Sequence, residues 1–393
     1  MHLHSTISGS SGGECKPHPT QAHSTVLATP GCSVTPVGTQ ENLLSLEVDW
    51  NRLSEAAEVP NVFMTFGWFR AWNQRLTEED PRRRPHILVL RQGREVMGVS
   101  PFVLRTCSRF GFVVRKIEFV GNQADYNDFV LGGDAPGQIE AVARFLAQTS
   151  DEWDLVELMD LREAGGQIPR IESALARANL FHRILPERMG CPYLPLDQAP
   201  SALVNNMPGH VRRALQKRLE RVSMEGLRVR IIENPHQEPG LLEKLIDLEH
   251  KKETAGPFIG QYPEVFRAVL DDLGPRGWLY VALLERGDAP VAFQFGFRCG
   301  NKLWDYSKAY DRSYSRCAPG TALVHAMLDY GFSRGYDEYD FLRGEEPYKM
   351  AWSTGCHRGF RLLIWNRRWV SRARKFVYCD FKTVIYQLLG KRA

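Results

Sequence analysis

The chain has 393 residues, more than a single hydrophobic core usually supports, so two domains with tails are expected. Its 43% hydrophobic and 24% charged residues are typical of a soluble globular protein, and no run reaches the roughly 18 apolar residues that a membrane span needs. A net charge of only +4 argues against a dedicated binder of duplex nucleic acid. We therefore expect a cytoplasmic protein.

Residues 1–40 are rich in Gly, Ser, Thr, His and Pro and have no periodicity, which predicts a disordered N-terminal arm. Residues 41–195 predict a first domain. Its elements are an aromatic-rich helix beginning near 63–69, strands at 87–90, 96–99, 117–120, 128–131 and 155–158, and helices at 136–148 and 168–179.

Residues 196–365 predict a second domain. Its elements are a basic helix at 212–221, a helix at 239–252, strands at 278–284, 291–298 and 302–310, a crossover helix at 319–333 and a strand at 338–342. Strands that come in a run before the helix do not fit a doubly wound nucleotide fold. They favour an α+β fold. The basic helix is either a solvated face or the lining of a cleft for an anionic acceptor.

Residues 366–393 form a basic tail, with eight Lys or Arg, one Asp and several interleaved aromatic residues. Such an amphipathic segment can lie on an anionic membrane surface, which would place the protein at the inner face of the membrane. It can equally dock on its own domain with its cations directed outward. The sequence leaves both readings open.

The eight cysteines are scattered and include no Cys-x-x-Cys pair, so neither a disulfide framework nor a zinc site is indicated. Cys356 and His357 are adjacent, but neighbouring side chains seldom orient as nucleophile and base. We expect neither cysteine catalysis nor a metal.

Two motifs occur twice in the same order. Ala-Pro-Gly at 135–137 recurs at 318–320, and Asp-Glu-Trp-Asp at 151–154 is echoed by Asp-Glu-Tyr-Asp at 337–340. Spacings of 183 and 186 residues are too long for a solenoid, whose units run roughly 20–50 residues. They indicate two copies of one domain-sized unit.

The second Ala-Pro-Gly motif has the features of a phosphate-binding loop. Pro319 suits the first turn of a helix, Gly320 permits close backbone approach, and the free N–H groups at a helix start attract anions. Arg316 just before it suits phosphate contact, whereas the first copy carries Asp134, which would repel a phosphate. The second copy is therefore the expected phosphate binder. The alternative is an ordinary helix-start turn in both copies.

A polar cluster follows the last predicted strand of the second copy. Asp340, Arg343, Glu346, Tyr348 and Lys349 lie within ten residues of one another. An acid, a guanidinium, a phenol and an amine together suit proton transfer and anion binding. The alternative is a polar loop with a tyrosine that caps the core.

These residues resemble a known family. Tyr310-Asp311, Pro319-Gly320 and Asp340-Phe341-x-Arg343-Gly344-x-Glu346-x-Tyr348-Lys349 are similar to the pattern of CelD-like (BioF-type) proteins of the GNAT acyltransferase superfamily, which are related to the Fem-type transferases. The resemblance is clearest over 212–352, with weaker support from 125–128. It implies two tandem GNAT-like units, each a mostly antiparallel sheet with flanking helices, of which the first is degenerate.

The resemblance implies an acyl-CoA donor held by Arg316, Pro319, Gly320 and Thr321, and an N- or O-acyltransferase. Our mechanistic hypothesis is direct transfer of the acyl group without a covalent enzyme intermediate. In it, Asp340 or Glu346 accepts the acceptor's proton and Tyr348 protonates the leaving thiolate. Arg343 and Lys349 bind an anionic part of the acceptor.

The expected acceptor is a small molecule or a glycan- or lipid-linked group, in cellulose, exopolysaccharide or cell-envelope biosynthesis. Two alternatives remain. One is a Fem-type transferase that uses aminoacyl-tRNA, although no inserted helical arm is evident. The other is a non-catalytic pseudo-acyltransferase that acts as a binding module in polysaccharide assembly.

Overall fold

The computed structural model describes residues 27–29, 32–109, 112–120, 123–133, 135–162, 167–251 and 256–366. The first 26 residues of the expected N-terminal arm lie outside this range. So do residues 367–393, which carry all the cations of the expected basic tail.

The described residues form eighteen strands and eleven α-helices. The strands are β1 Leu27–Thr29, β2 Cys32–Val37, β3 Arg83–Pro85, β4 Ile87–Gln92, β5 Glu95–Ser100, β6 Phe102–Arg109, β7 Phe112–Phe119, β8 Val130–Leu131, β9 Leu155–Arg162, β10 Phe181–Pro186, β11 Cys191–Pro195, β12 Leu227–Ile232, β13 Leu279–Arg286, β14 Ala289–Cys299, β15 Lys302–Tyr310, β16 Glu338–Asp340, β17 Gly355–His357 and β18 Gly359–Trp365. The helices are α1 Gln40–Leu44, α2 Glu47–Glu55, α3 Phe66–Glu79, α4 Ala135–Gln148, α5 Gln167–Arg177, α6 Pro200–Asn206, α7 Gly209–Met224, α8 Leu241–His250, α9 Pro263–Leu273, α10 Pro319–Ser333 and α11 Pro347–Trp352.

The strands form one antiparallel sheet and two mixed sheets. Their orders are β1-β2-β4-β5-β8, β10-β18-β9-β7-β6-β3 and β12-β13-β14-β15-β16-β11-β17. Among the named strands, only β7 with β9 and β15 with β16 pair in parallel. The predicted α+β fold, mostly antiparallel with flanking helices, is confirmed.

The repeated sequence corresponds to a repeated structure. In the first unit, helix α4 crosses over from β7 to its parallel neighbour β9. In the second unit, helix α10 crosses over from β15 to its parallel neighbour β16. Each Ala-Pro-Gly motif lies at the start of its crossover helix. The two units therefore share one strand–helix–strand core.

The two units exchange strands, so the expected domain boundary at 195/196 does not separate the two sheets. β11 precedes the second unit in sequence but pairs with β16 and β17 in the second unit's sheet. β18 ends the described chain but lies between β9 and β10 in the first unit's sheet. Each unit thus completes its sheet with a strand from the other side of the predicted boundary.

The expected arm is also too long. β2 pairs with β4 from Ser33 opposite Arg91 to Val37 opposite Ile87, and Val34 is 1% exposed. The Val and Thr residues of this segment favour extended backbone, and the edge of β4 offers them a ladder of hydrogen bonds. Order therefore begins before residue 41.

An aromatic core joins the two units. Phe63 packs against Trp304 with ring centroids 5.4 Å apart, and Trp68 packs against Phe297 at 5.8 Å. All four side chains are buried. The units consequently share one hydrophobic interior. Within the described part of the chain, no helix is long and apolar enough to cross a membrane.

We predict that removing residues 359–393 destabilises the first unit far more than removing 367–393, because only the longer truncation deletes β18. Leu362, Leu363, Ile364 and Trp365 of β18 are all at most 3% exposed. Truncating one such side chain costs about 2–5 kcal/mol, and a whole domain is stable by only about 5–15 kcal/mol. Thermal unfolding and limited proteolysis of the two truncations give the comparison. Equal melting temperatures would contradict the strand exchange.

Candidate functional site

A gap lies between β15 and β16 of the second unit. The two strands pair only from Lys302 opposite Glu338 to Trp304 opposite Asp340. Beyond that point the chain after β16 turns to β11, because the amide of Phe341 donates to the carbonyl of Pro192 at 2.9 Å. The backbone of β15 after Trp304 is therefore left without a β16 partner on this side.

A β-bulge lies where the gap begins. On β14, Gly296 faces Asp305 and the next residue, Phe295, faces Ser307, so Tyr306 is the extra residue on β15. A bulge bends its strand and redirects nearby groups. Here the bulge lies directly after Trp304, the last residue of β15 that pairs with β16.

The predicted phosphate loop lies at the start of α10, after a short 3-10 helix at Arg312–Cys317. Ala318, rather than a glycine, takes the left-handed conformation, with φ +48°. Pro319 has no N–H, and the amides of Thr321 and Ala322 both bond the carbonyl of Ala318. Within the described residues, the Gly320 amide is therefore the remaining free N–H donor at the start of α10. The loop offers an anion fewer backbone donors than the sequence motif suggested.

Space and positive charge surround this loop. A Cβ added to Gly320 would meet no atom within 4 Å, so the loop backbone is open to approach. Arg316 is exposed, and its carbonyl accepts a hydrogen bond of 2.7 Å from Arg221 of α7. Arg213, Lys217 and Arg221 are four residues apart and share one face of that helix. A basic row thus runs along α7 to the loop.

A polar cluster lies along the gap, where β15 faces α11. Lys308 forms an ion pair with Asp305, and its ammonium lies 4.7 Å from the centre of the Tyr348 ring. Burial raises the pKa of Tyr348, and the nearby Asp305 and Glu346 add to the effect. Burial lowers the pKa of Lys308, against the influence of Asp305. Tyr348 consequently keeps its proton, as a proton donor must.

Of the predicted catalytic residues, Glu346 and Tyr348 are accessible. The Glu346 side chain is 52% exposed and pairs with Lys349 at 3.2 Å, and Tyr348 is 41% exposed. Asp340, in contrast, is fully buried. It cannot touch a substrate, so the expectation that Asp340 accepts the acceptor's proton directly is wrong.

Asp340 instead connects the two units. Its Oδ2 accepts a hydrogen bond of 2.7 Å from the hydroxyl of Tyr126, and its Oδ1 accepts one of 2.8 Å from the amide of Leu342. Burial raises the pKa of Asp340 to about 6, although the bond from Tyr126 lowers it. Asp340 is thus a positioning residue at the end of β16.

The two predicted acceptor-binding cations are also engaged inside the protein. Arg343 donates to Asp125 at 2.8 and 3.0 Å and to Asp160 at 3.0 Å, both in the first unit. Lys349 is 6% exposed and donates to the carbonyl of Arg343 at 2.7 Å. Both side chains hold the structure together, which corrects their assignment to acceptor binding.

The corresponding gap in the first unit is filled. Tyr126-Asn127 lies alongside β9, since Asn127 donates from its amide to the carbonyl of Asp160 at 2.8 Å and forms a bridge with Leu161. At the start of α4, the buried Gln138 side chain donates to the carbonyl of Gly132. Asp134 lies outside the described residues. The first unit therefore has a bridged segment beside β9, whereas no strand or bridge pairs with β15 beyond Trp304 on the β16 side among the described residues.

Three possible metal ligands come together beside Asp340. Ligand atoms of Glu338, Asp340 and His357 lie within 4.8 Å of one another. Glu338 already accepts from Lys302 at 2.9 Å and is 3.0 Å from the His357 Nε2. These contacts neutralise the carboxylate within the protein, so the group fits an ion-pair network better than a cation site. The expected absence of a metal stays a prediction.

Sequence reasoning missed Asp305, Lys308 and the role of Tyr126. Asp305 and Lys308 lie in a strand whose pattern indicates only a half-buried sheet, and a bulge cannot be read from alternation. An acid and a base three residues apart within a strand that is half apolar or aromatic are the available signal. Tyr126 was noticed only through the resemblance.

Comparison with known proteins supports the GNAT assignment. The sequence model of the acetyltransferase (GNAT) domain family matches residues 209–350. FemX superposes with a TM-score of 0.56 at 12% identity, covering 84% of this chain and 98% of FemX. A conserved protein of unknown function from Bacteroides thetaiotaomicron gives 0.51 at 12% identity, covering 82% and 97%. No curated protein matches the sequence. The predicted GNAT resemblance is confirmed, and the fold likeness extends over both units.

Burial of Asp340 predicts a specific pH dependence of stability. The folded protein retains a proton up to about pH 6 that the unfolded chain releases near pH 4. The wild type should therefore lose stability relative to Asp340→Asn as pH rises from about 4 to 6, by at most about 3 kcal/mol. Urea unfolding at several pH values measures this difference. Asp288→Asn, in an exposed turn, is the control, and a pH-independent difference for Asp340→Asn would contradict the assignment.

Proposed function

We propose that this protein, whose residues 209–350 match the sequence model of the acetyltransferase (GNAT) domain family, transfers an acyl group from acyl-CoA to an amine or hydroxyl. The observation that carries the proposal is the open gap between β15 and β16. A basic loop lies at the start of the adjoining crossover helix, and a phenol with a raised pKa lies along the gap. The matching gap in the first unit is filled, so the activity belongs to the second unit.

The residues around the loop fit the phosphates of acyl-CoA. Arg316 is exposed, the Gly320 backbone is open to approach, and the Arg213–Arg221 face of α7 adds positive charge. Guanidinium groups and helix-start amides are common phosphate ligands. Thr321 and Pro319 shape the first turn of α10. When bound, acyl-CoA supplies an activated thioester.

The bare edge of β15 suits the reacting end of the donor. Its backbone groups beyond Trp304 have no β16 partner, so they are available to hydrogen-bond an extended chain in the gap. An N–H of this edge is placed to polarise the thioester carbonyl. Backbone donors fixed in a sheet need no reorganisation during the reaction.

Two different residues of the polar cluster carry out the two proton transfers of the reaction. Glu346 is exposed and placed to accept the proton of the attacking amine or hydroxyl as the new bond to the acyl carbon forms. Tyr348 is placed to give its proton to the sulfur as the carbon–sulfur bond breaks. Lys308, held by Asp305, lies over the Tyr348 ring and fixes its position. Asp340 is buried at the end of β16 and holds that strand end in place. No covalent enzyme intermediate is required.

The acceptor class rests on the family resemblance. A role in cellulose, exopolysaccharide or envelope biosynthesis stays a prediction. Direct transfer to a small molecule and transfer to a glycan- or lipid-linked group use the same residues in this scheme. A screen of both kinds of acceptor with acetyl-CoA, in which release of the free CoA thiol is measured, distinguishes the two acceptor classes.

We predict that Tyr348→Phe lowers kcat by about 10²–10⁴-fold on an acceptor found in that screen, with little change in KM for acetyl-CoA. The phenol acts only when the thiolate leaves, and its loss should leave the fold intact because Tyr348 is 41% exposed. Tyr262→Phe removes a hydroxyl elsewhere and should keep wild-type rates.

Steady-state kinetics of the three proteins give the answer. Wild-type turnover by Tyr348→Phe would remove the phenol from the mechanism. If no acceptor causes release of CoA thiol and the protein turns over aminoacyl-tRNA, then aminoacyl-tRNA rather than acyl-CoA is the donor.

A further inference from the structure

A second polar cavity lies at the far end of the second unit. It has a volume of about 450 Å³ and is lined by the turn before β13, the turn between β14 and β15, and the end of α10. The phosphate loop is at the other end of α10, and a helix of fifteen residues spans about 22 Å. The cavity is therefore separate from the proposed acyl-transfer site.

Three arginines from three different segments line this cavity. They are Arg276, Arg298 and Arg334, and Glu233 is the only carboxylate among the lining residues. Arg334 donates to Glu233 Oε1 at 2.7 Å, and Arg276 donates to Glu55 at 2.6 Å. Three guanidinium groups thus share two carboxylates, which leaves one positive charge uncompensated by these partners.

Arg298 is the most enclosed of the three. Its side chain is 14% exposed, and its Nη2 donates to the backbone carbonyl of Glu233 at 2.6 Å. The nearest Glu233 carboxylate oxygen is 3.6 Å from Nη1, beyond a good hydrogen bond. The buried Nε has no acceptor among the described residues. A buried N–H without an acceptor is costly, so the Arg298 guanidinium is incompletely satisfied within the protein. Its Nη1 group, which has no good hydrogen bond to Glu233, can donate to an external acceptor.

The remaining lining groups also suit an oxyanion. Tyr330 of α10 and Tyr336 just after it lie on one wall, and a phenol can donate a hydrogen bond. The Tyr330 hydroxyl interacts with Glu233, so Tyr336 is the phenol available to an anion. The Arg334 guanidinium lies over the Tyr330 ring, 5.4 Å from its centre, which limits its motion. Arginines held in place by carboxylates and rings lose little entropy on binding a planar or tetrahedral anion.

We propose that this cavity binds a phosphate group, either free phosphate or the phosphate of a monoester. Arg298 supplies the enclosed N–H donor, while Arg276 and Arg334 contact the outer oxygens. The site is independent of the proposed acyl transfer, so the failure of either proposal leaves the other intact.

Calorimetric titration of the full-length protein with inorganic phosphate, and separately with glycerol phosphate, tests the proposal at constant ionic strength. We expect one site per chain. Arg298→Gln and Arg334→Gln should each weaken binding by about tenfold or more, because a charge-assisted hydrogen bond is lost. Arg334 has a 58% exposed side chain, so its replacement tests the site without endangering the fold.

One control variant matches these substitutions. Arg267→Gln removes an exposed arginine that pairs with Glu243. It should bind phosphate at this site like the wild type. Tighter binding of glycerol phosphate than of phosphate would identify a monoester as the ligand, and equal binding would identify free phosphate. Absence of binding, or equal affinity in wild type, Arg298→Gln and Arg334→Gln, would overturn the proposal.

Discussion

The buried contacts between Arg343 and the two carboxylates of the first unit fix the geometry on which the candidate site depends. Removing one partner from a buried ion pair usually costs more than the pair contributes, because a charge is left unpaired in a poor solvent. Arg343 meets Asp125 and Asp160 and follows β16 directly. Beside it, Tyr126 donates to Asp340. The end of β16 therefore cannot move without breaking this network, and the width of the gap is set from the first unit.

This arrangement gives the degenerate unit a structural purpose. The Asp125–Asn127 segment fills the first unit's own gap and at the same time anchors the second unit's strand end. The exchanged strands β11 and β18 reinforce the same coupling, since each unit needs the other to complete its sheet. The first unit, whose gap is filled, thus supports the geometry of the second unit's gap.

Much of this could be read from the sequence, for definite reasons. The crossover helix at 319–333 was predicted with its exact bounds because Pro319 marks its start, and the meander of β13–β15 follows from Gly-containing turns. The strand exchange could not be predicted, since alternation identifies strands but not their neighbours. Arg343 and Lys349 were misassigned for a related reason. A polar motif indicates which functional groups are present. Only the fold shows that the Arg343 guanidinium is already paired with Asp125, which lies 218 residues away in the sequence.

The central claim is that one unit, the second, holds acyl-CoA on its loop. Calorimetric titration of acetyl-CoA into the wild type and into Arg316→Ala tests it most directly. We predict one molecule bound per chain, with binding weakened by about tenfold or more in the variant through loss of a charge-assisted phosphate contact. Two molecules per chain, or equal affinity in wild type and variant, would contradict the claim.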